Sequence, residues 1–436
     1  MTDSCAIHRV RAREVLDSRG SPTVEAEVHL RGLAWGRASV PAGASTGRHE
    51  AHELRDGDPR RYAGRGVLKA VHHVHTEIAA ALEGVAATDQ PLVDRTMVTL
   101  DGTESLRRLG ANAILAVSMA CCRAAAQCRG LALHQHLAEL SGTGSVSLPV
   151  PQGVMFSGRG GAAAGLSFQD FMVLPIGARS YPEALAMLER VESSALEVLR
   201  QSNTAYRVAS DGALGLAARS NRHALELTVR AIEGAGLRPG EDVGIGLDVA
   251  ATEFCDKAGG YRVDPEGSPV RAHDLAEYLR GLLDRFPIVS IEDPFDEEDW
   301  PAWSAFTASV PELQVVADDL YATHPERARR GVTQRAATAG LMKLNQNGTL
   351  SGTLEVIRRL REAGHRCIVA GRSADTEDAF IADLAVGTGA GQIKIGARRG
   401  GERLAKYNQL LRLSEDVGWP GPLGLTTPAR SHPTAL

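Results

Sequence analysis

Residues 288–294, IVSIEDP, decide the fold, because a short apolar run there ends in two acidic residues. The same arrangement recurs along the second half of the chain, where apolar runs end in polar or charged residues. These residues are Asp248 after VGIGL, Glu292 after IVSI, Asp318 after LQVVA, Lys343 after GLM, Arg372 and Ser373 after RCIVAG, and Lys394 after GQI. A strand with its return helix takes about 30 residues, and the intervals between these sites are of that size. The pattern therefore predicts successive βα units of a barrel.

The carboxylates at these strand ends predict a metal site, since barrels of this class gather their reacting groups at the C-terminal ends of strands. Asp248, Glu292 and Asp318 offer three hard oxygen ligands, which suit Mg²⁺ better than zinc. The alternative is that each carboxylate only caps a strand-to-helix turn. Three such residues in the same frame favour the metal site.

Two lysines and an arginine predict that the substrate is an anion. Lys343 and Lys394 stand within apolar stretches, where an unpartnered charge is costly. Because the pKa of lysine shifts readily on burial, one could act as a base while the other holds a carboxylate. The alternative is that both form structural ion pairs. Arg372 with Ser373 fits a phosphate clamp, since a guanidinium fork matches phosphate oxygens.

Composition excludes several classes of protein. A length of 436 residues predicts two domains, and 43% hydrophobic with 23% charged residues is typical of globular proteins. A net charge of −5 gives no basic stripe for nucleic acid. We find no apolar run near the ~20 residues of a membrane span and no apolar signal region at the N-terminus, so we expect a cytoplasmic protein without a membrane partner. The six cysteines form no CxxC pair and are expected to be reduced thiols.

A change of pattern near residue 141 predicts the domain division. The stretch VPAGASTGRHEAHELRDGD, which includes Ser45, is rich in Gly, Ser and Thr and predicts a mobile loop. An Ala-rich run, ANAILAVSMACCRAAAQC, ends near Gly130 and predicts a buried helix. The stretch SGTGSVSLPVP follows at 141–151, and the βα rhythm begins after it. We therefore predict an N-terminal domain over 1–140 and a barrel over 145–436.

Seven further motifs are spread along the chain: VLDSRGSPTVE, VPAGASTGRHEA, LGANAILAVSMA, SIEDPFDEEDW, VVADDL, KLNQNGTLS and GQIKIGARRGGERLAKYNQLLR. Through these motifs the chain resembles the enolases over essentially its whole length. The resemblance implies an α/β protein: a small α+β capping domain, then an eight-stranded β/α barrel of irregular strand order, usually in a homodimer or higher even oligomer. It also implies two Mg²⁺ sites and a small phosphorylated or phosphonylated carboxylate as substrate.

The resemblance also implies roles for individual residues. Asp248, Glu292 and Asp318 would bind the first Mg²⁺, and Ser45 would join the second, substrate-dependent one. Lys343 would be the base that removes the proton next to the carboxylate. Lys394 would hold that carboxylate, while Arg372 and Ser373 would hold the phosphate.

Four positions depart from the enolase pattern. Gly161 stands in place of a histidine in SGRGGAAAGLSFQDF, and Gly371 replaces another histidine in AGRS. Asp170 and Asp211 each replace a glutamate that handles the leaving hydroxyl in the family. We expect the two aspartates to keep a catalytic role, although each side chain is one methylene shorter than the glutamate that it replaces. We expect the two glycines to open space for substrate at the phosphate end.

These departures leave three functions open. The first is a specialised enolase relative whose substrate carries a larger group at the phosphate, similar to the carboxyphosphonoenolpyruvate synthases of phosphonate biosynthesis. The second is an ordinary enolase that converts 2-phosphoglycerate to phosphoenolpyruvate and water. The third is a non-catalytic binding protein with the enolase fold. The retained lysines argue against the third, and the four substitutions favour the first.

Overall fold

A computed structural model of the chain describes residues 4–43, 47–144, 146–158, 166–209, 211–263, 267–421 and 424–425. Two sheets organise these residues, a small antiparallel one near the N-terminus and a large one that closes into a barrel. The boundary between the two domains at residues 140–145 stays a prediction.

The N-terminal sheet is an antiparallel meander in the order β1-β2-β3. Its strands are β1 (Ile7–Leu16), β2 (Pro22–Leu30) and β3 (Trp35–Ser39). Along β2 buried and half-buried residues alternate, as expected for a strand with one face on the core. The helices that follow are α1 (Leu68–His73), α2 (Ala79–Leu82), α3 (Gln90–Asp101), α4 (Ala111–Cys128) and α5 (Leu133–Ser141).

The Ala-rich helix α4 packs directly against this sheet, as its composition predicts. A Cβ added at Gly36 of β3 would lie 2.2 Å from the carbonyl oxygen of Ala120, so glycine permits this close approach. Within the described residues, α4 is the single helix long and apolar enough to cross a membrane, and 83% of it is buried inside the protein. Core helices of soluble proteins commonly have these properties.

A disulfide joins Cys5, just before β1, to Cys128 at the end of α4, with the Cα atoms 6.0 Å apart. The expectation of six reduced thiols is therefore wrong for these two residues. The sequence conceals this pair because the partners lie 123 residues apart and only the packing of β1 near α4 brings them together. Cys121, Cys122, Cys255 and Cys367, all within the described ranges, are free thiols.

The second sheet closes into a barrel through pairing of its first strand with its last. Among the described residues, eight strands form the ring: β4 (Val150–Ser157), β5 (Asp170–Leu174), β8 (Gly244–Asp248), β9 (Ile288–Glu292), β10 (Gln314–Ala317), β11 (Ala339–Met342), β12 (Arg366–Ala370) and β13 (Gly391–Gly396). A hairpin of β6 (Tyr206–Val208) and β7 (Leu214–Leu216) extends from β4. The predicted eight-stranded barrel is confirmed.

Helices surround the barrel and return the chain between its parallel strands. They are α6 (Tyr181–Gln201), α7 (Asn221–Gly234), α8 (Ala272–Leu283), α9 (Trp300–Ser309), α10 (Pro325–Gln334), α11 (Leu344–Asn347), α12 (Leu350–Glu362), α13 (Phe380–Gly387) and α14 (Gly401–Leu413). Local sequence sets several starts: at α6, the Ser180 side chain accepts a hydrogen bond from the Glu183 amide, and proline occupies the first turn.

Strand β5 gives the barrel its irregular order, because it runs antiparallel to both neighbours, β4 and β8. Its first residue, Asp170, therefore pairs with Asp248, the last residue of β8. Asp248 in turn pairs with Glu292 on β9. The three carboxylates thus meet side by side at one end of the barrel, although one comes from the start of a strand.

Candidate active site

A cavity of about 590 Å³ opens at this end of the barrel. Most of the predicted site residues line it: Asp170, Asp211, Asp248, Asp318, Lys343, Gly371, Arg372, Ser373 and Lys394. Glu292 is 1% exposed and reaches the site through Lys394. Ser45 and Gly161 lie outside the described residues. The polar and charged residues that end the apolar runs therefore predict one shared site.

Lys394 connects the carboxylates of neighbouring strands. Its ammonium group donates at 2.8 Å to Asp248 Oδ2 and to both carboxylate oxygens of Glu292. Asp170 Oδ2 lies 4.0 Å from the same nitrogen. Burial lowers the pKa of Lys394, but the charges of Asp248 and Glu292 outweigh it and hold the pKa well above its usual value. Lys394 is therefore a fixed positive charge at this end of the site.

Lys343, which directly follows β11, is the second lysine of the site. Its ammonium group donates a short hydrogen bond to Asp318, whose other oxygen accepts from the Gln346 amide at 2.9 Å. Burial lowers the pKa of Lys343, but the charge of Asp318 raises it by a larger amount, so the net shift of the pKa is upward. Without another cation on Asp318, this lysine keeps its proton.

A compact group of carboxylates surrounds Asp318. Oxygens of Asp293, Asp318 and Asp319 lie within 4.8 Å of one another, which makes these three the candidate metal group among the described residues. Asp293 has a left-handed backbone (φ 43°) and accepts hydrogen bonds from the Asp318 and Asp319 amides. Burial raises its pKa well above the usual value and raises that of Asp319 to about 7.

The donor set fits Mg²⁺, because it consists of buried carboxylate oxygens and a bound cation would favour their ionised forms. Only Asp318 is common to this group and to the predicted ligand set of Asp248, Glu292 and Asp318, which stays a prediction. Lys394 bridges the other two members of the predicted set, Asp248 and Glu292. Burial and the Asp248 charge raise the pKa of Glu292, so a cation near this pair would stabilise its ionised form.

Arg372 is held in place by the N-terminal domain. Its two terminal nitrogens donate to the Glu50 carboxylate at 2.8 and 3.2 Å, and one of them also contacts Asn345 Oδ1 at 3.2 Å. The side chains of Arg372 and Glu50 are 4% and 5% exposed. A guanidinium fixed in this way presents a defined plane to an anion.

Comparisons with known proteins agree with this geometry. Residues 7–137 match the family model "Enolase, N-terminal domain", and residues 145–423 match "Enolase, C-terminal TIM barrel domain". The chain belongs to the enolase family. It is 46% identical over 415 residues to the enolase of Tropheryma whipplei (strain Twist), covering 95% of this chain and 96% of the relative. It is 47% identical over 416 residues to the enolase of Legionella pneumophila (strain Corby), covering 95% and 97%. Family membership makes the chain an enzyme of the lyase class that uses Mg²⁺.

The positions that depart from the enolase pattern occupy different parts of the site. Asp170 is 4% exposed and faces Lys394, while Asp211 lies in the turn after β6 and accepts a hydrogen bond from the Ala213 amide. Gly371 lines the cavity, and the expectation that it opens space for substrate stays a prediction. A Cβ at Gly371 would lie 2.7 Å from Asp375 Oδ2 and 3.6 Å from Arg403.

Several residues of the site carry no signal in the apolar-run pattern. Glu50 and Gln169 lie in loops, where no periodicity marks them. Gln169 donates to Asp248 Oδ2 at 2.8 Å, from the residue before β5. The acidic doublets Glu292–Asp293 and Asp318–Asp319 were a usable signal, since the second residue of each joins the candidate metal group.

Proposed function

We propose that this chain removes the α-proton of 2-phosphoglycerate and expels its 3-hydroxyl group, giving phosphoenolpyruvate and water. The observation that carries the proposal is the pairing of two buried lysines with strand-end carboxylates in one cavity. Relatives at 46–47% identity over 95% of the chain bear the name enolase, and this similarity supports the ordinary reaction.

Lys343 is the proposed base and Lys394 the proposed holder of the substrate carboxylate. Lys343 must lose its proton before it can accept another, and a cation shared by Asp318 would weaken the ion pair that now raises its pKa. Lys394 keeps its positive charge and stabilises the negative charge that develops on the carboxylate as the α-proton leaves. Bound Mg²⁺ would add charge stabilisation at the same carboxylate.

Departure of the hydroxyl group needs a proton, for which Asp170 and Asp211 are the proposed donors. The α-carbon loses H⁺ to Lys343, the C–O bond at C3 breaks, and the leaving hydroxide takes a proton from an aspartic acid to form water. Arg372 and Ser373 are proposed to hold the phosphate during both steps.

We also propose the family's remaining properties for this chain. Asp248, Glu292 and Asp318 would hold the first Mg²⁺, and Ser45 would contribute to a second one. A homodimer and a cytoplasmic location follow from the same relationship. Disulfide bonds such as the one between Cys5 and Cys128 are uncommon in cytoplasmic proteins.

The test uses purified protein with Mg²⁺ and 2-phosphoglycerate. Absorbance of the enolpyruvate product should rise, and in deuterated water the α-proton should exchange. Lys343→Ala should abolish both signals, whereas Lys257→Ala, an exposed lysine in a turn, should retain them. Exchange that persists in Lys343→Ala would remove the base assignment.

A second candidate is a carboxyphosphonoenolpyruvate synthase-like reaction on a substrate enlarged at the phosphate. The observation that favours it is that aspartates replace both glutamates at the leaving-group side, while the residues of strand β6 are exposed and two of them, Arg207 and Val208, line the cavity. Adding phosphonoformate or its nucleotide-activated form to the same assay separates the two candidates. Rapid turnover of 2-phosphoglycerate alone would exclude the second.

A further inference from the structure

Arg403 of α14 lies beneath the site with its side chain almost completely buried (1% exposed). One terminal nitrogen donates to the backbone carbonyls of Arg372 at 2.6 Å and Ile395 at 3.0 Å. The other donates to the carbonyl of Ser373 at 2.8 Å. A single guanidinium therefore joins the ends of two neighbouring strands, β12 and β13.

The residues at these two strand ends are the proposed contacts for opposite ends of the substrate. Lys394, directly before Ile395, is the proposed contact for the carboxylate, while Arg372 and Ser373 are the proposed contacts for the phosphate. The strands themselves pair as far as Ala370 and Lys394, and the Gly371 amide adds one bond to the Lys394 carbonyl at 2.9 Å. Beyond that point, Arg403 provides the connection between the two segments.

The glycines beside the guanidinium explain how it fits. Gly396 has a left-handed backbone (φ 107°), and a Cβ there would lie 3.4 Å from Arg403 Cδ and Nε. On the other side, a Cβ at Gly371 would lie 3.6 Å from Arg403 Nη1. The planar group thus occupies a slot bordered by two residues without side chains.

We propose that Arg403 is a positioning residue that sets the separation between the carboxylate-binding and phosphate-binding ends of the site. It thereby selects substrates whose two anionic groups stand at one spacing. The inference rests on the proposed function, because that function assigns the two ends. Arg403 acts through backbone carbonyls and has no assigned role in proton transfer.

The test compares two ligands, each with one carboxylate and one phosphate group, by equilibrium binding with Mg²⁺ present and with a check that no phosphate is released. Phosphoglycolate has the carboxylate–phosphate spacing of 2-phosphoglycerate, and 3-phosphooxypropionate is one methylene longer; neither carries a leaving hydroxyl group. We expect the natural protein to prefer phosphoglycolate by about tenfold, since a displacement near 1 Å is costly at an organised site. Arg403→Lys should reduce that preference to about threefold or less.

Lys406 supplies a matched control on the same helix. It is also 1% exposed and holds the same loop further along, through Asp375 Oδ1 at 3.0 Å and the Thr376 carbonyl at 2.5 Å. Lys406→Met should lower the melting temperature while keeping the preference between the two ligands. If Arg403→Lys does not fold, Arg403→Gln provides a second variant, because it keeps a neutral N–H donor but has one terminal nitrogen in place of the two that bind the carbonyls of both segments.

An unchanged preference in the Arg403 variant, or an equal loss of preference in Lys406→Met, would overturn the inference. Binding is measured without turnover, so these outcomes are separate from failure of the proposed reaction. Absence of α-proton exchange would refute the reaction alone, and a ligand preference that depends on Arg403 would still support the spacing role.

Discussion

The Lys394 ammonium group lies 2.8 Å from Asp248 Oδ2 and 2.8 Å from both oxygens of Glu292. Asp248 and Glu292 stand on adjacent parallel strands, so without a cation their like charges would repel in a buried setting. Lys394 therefore stabilises this end of the barrel as well as forming part of the candidate active site. The two roles can be separated by supplying another cation.

Replacing Lys394 by methionine should destabilise the protein when divalent cations are chelated. Removing one partner of a buried ion pair leaves the other charge uncompensated and typically costs about 3–5 kcal/mol. Added Mg²⁺ should restore part of this loss in Lys394→Met, because it binds the folded state. Thermal melts with EDTA and with Mg²⁺ measure both effects. Exposed Lys257→Met is the control, and an equal loss of stability in that variant would contradict the explanation.

Replacing Gly371 by alanine should destabilise the loop after β12. The new Cβ would lie 2.7 Å from Asp375 Oδ2, and Asp375 cannot move freely because Lys406 Nζ binds its other oxygen at 3.0 Å. Crowding of this kind costs about 1–3 kcal/mol. Gly281→Ala is the matched control: it lies in α8 with no atom within 4 Å of its Cβ, so alanine should stabilise it by a few tenths to about 1 kcal/mol. Urea unfolding of both variants tests the opposite signs.

How far the sequence predicts this molecule depends on the range of each contact. The series of apolar runs that end in polar or charged residues predicts the barrel and one shared cavity, because each run and its final residue are adjacent in the chain. It misses contacts that only the closed fold creates, such as Glu50 with Arg372 or Cys5 with Cys128. Gly371 shows the same limit, because the sequence marks its replacement of a histidine but not the contact that a Cβ there would make with Asp375, four residues further on.

The contact between the N-terminal domain and the barrel should weaken in acid. Arg123 on α4 donates to both oxygens of Asp378 at 2.6 and 2.7 Å, and Asp378 also accepts from the Ser39 and Phe380 amides. Burial raises the pKa of Asp378, but the Arg123 charge outweighs it and the net pKa is below the usual value. The folded pKa is thus lower than the unfolded one, so the stabilisation is complete above about pH 4 and is lost as the pH falls through the folded pKa.

Asp378→Asn tests this dependence. The variant should unfold at a lower urea concentration than the natural protein at pH 7, and the difference should shrink below about pH 4. Glu326→Gln, a change at an exposed residue, should show little difference at pH 7. A difference between Asp378→Asn and the natural protein that stays constant down to pH 3 would contradict the assignment.

Reduction of the Cys5–Cys128 disulfide should lower the stability of the N-terminal domain. The bond joins residues 123 positions apart, and closing a loop of that size restricts the unfolded chain by an amount worth up to about 5 kcal/mol. Dithiothreitol should therefore lower the melting temperature of the natural protein but leave that of Cys5→Ala unchanged. Cys255→Ala, which removes a free thiol, should respond to reductant like the natural protein. Equal melting temperatures of the natural protein with and without reductant would show that the bond contributes little, and mass measurement of alkylated thiols would then establish whether it had formed.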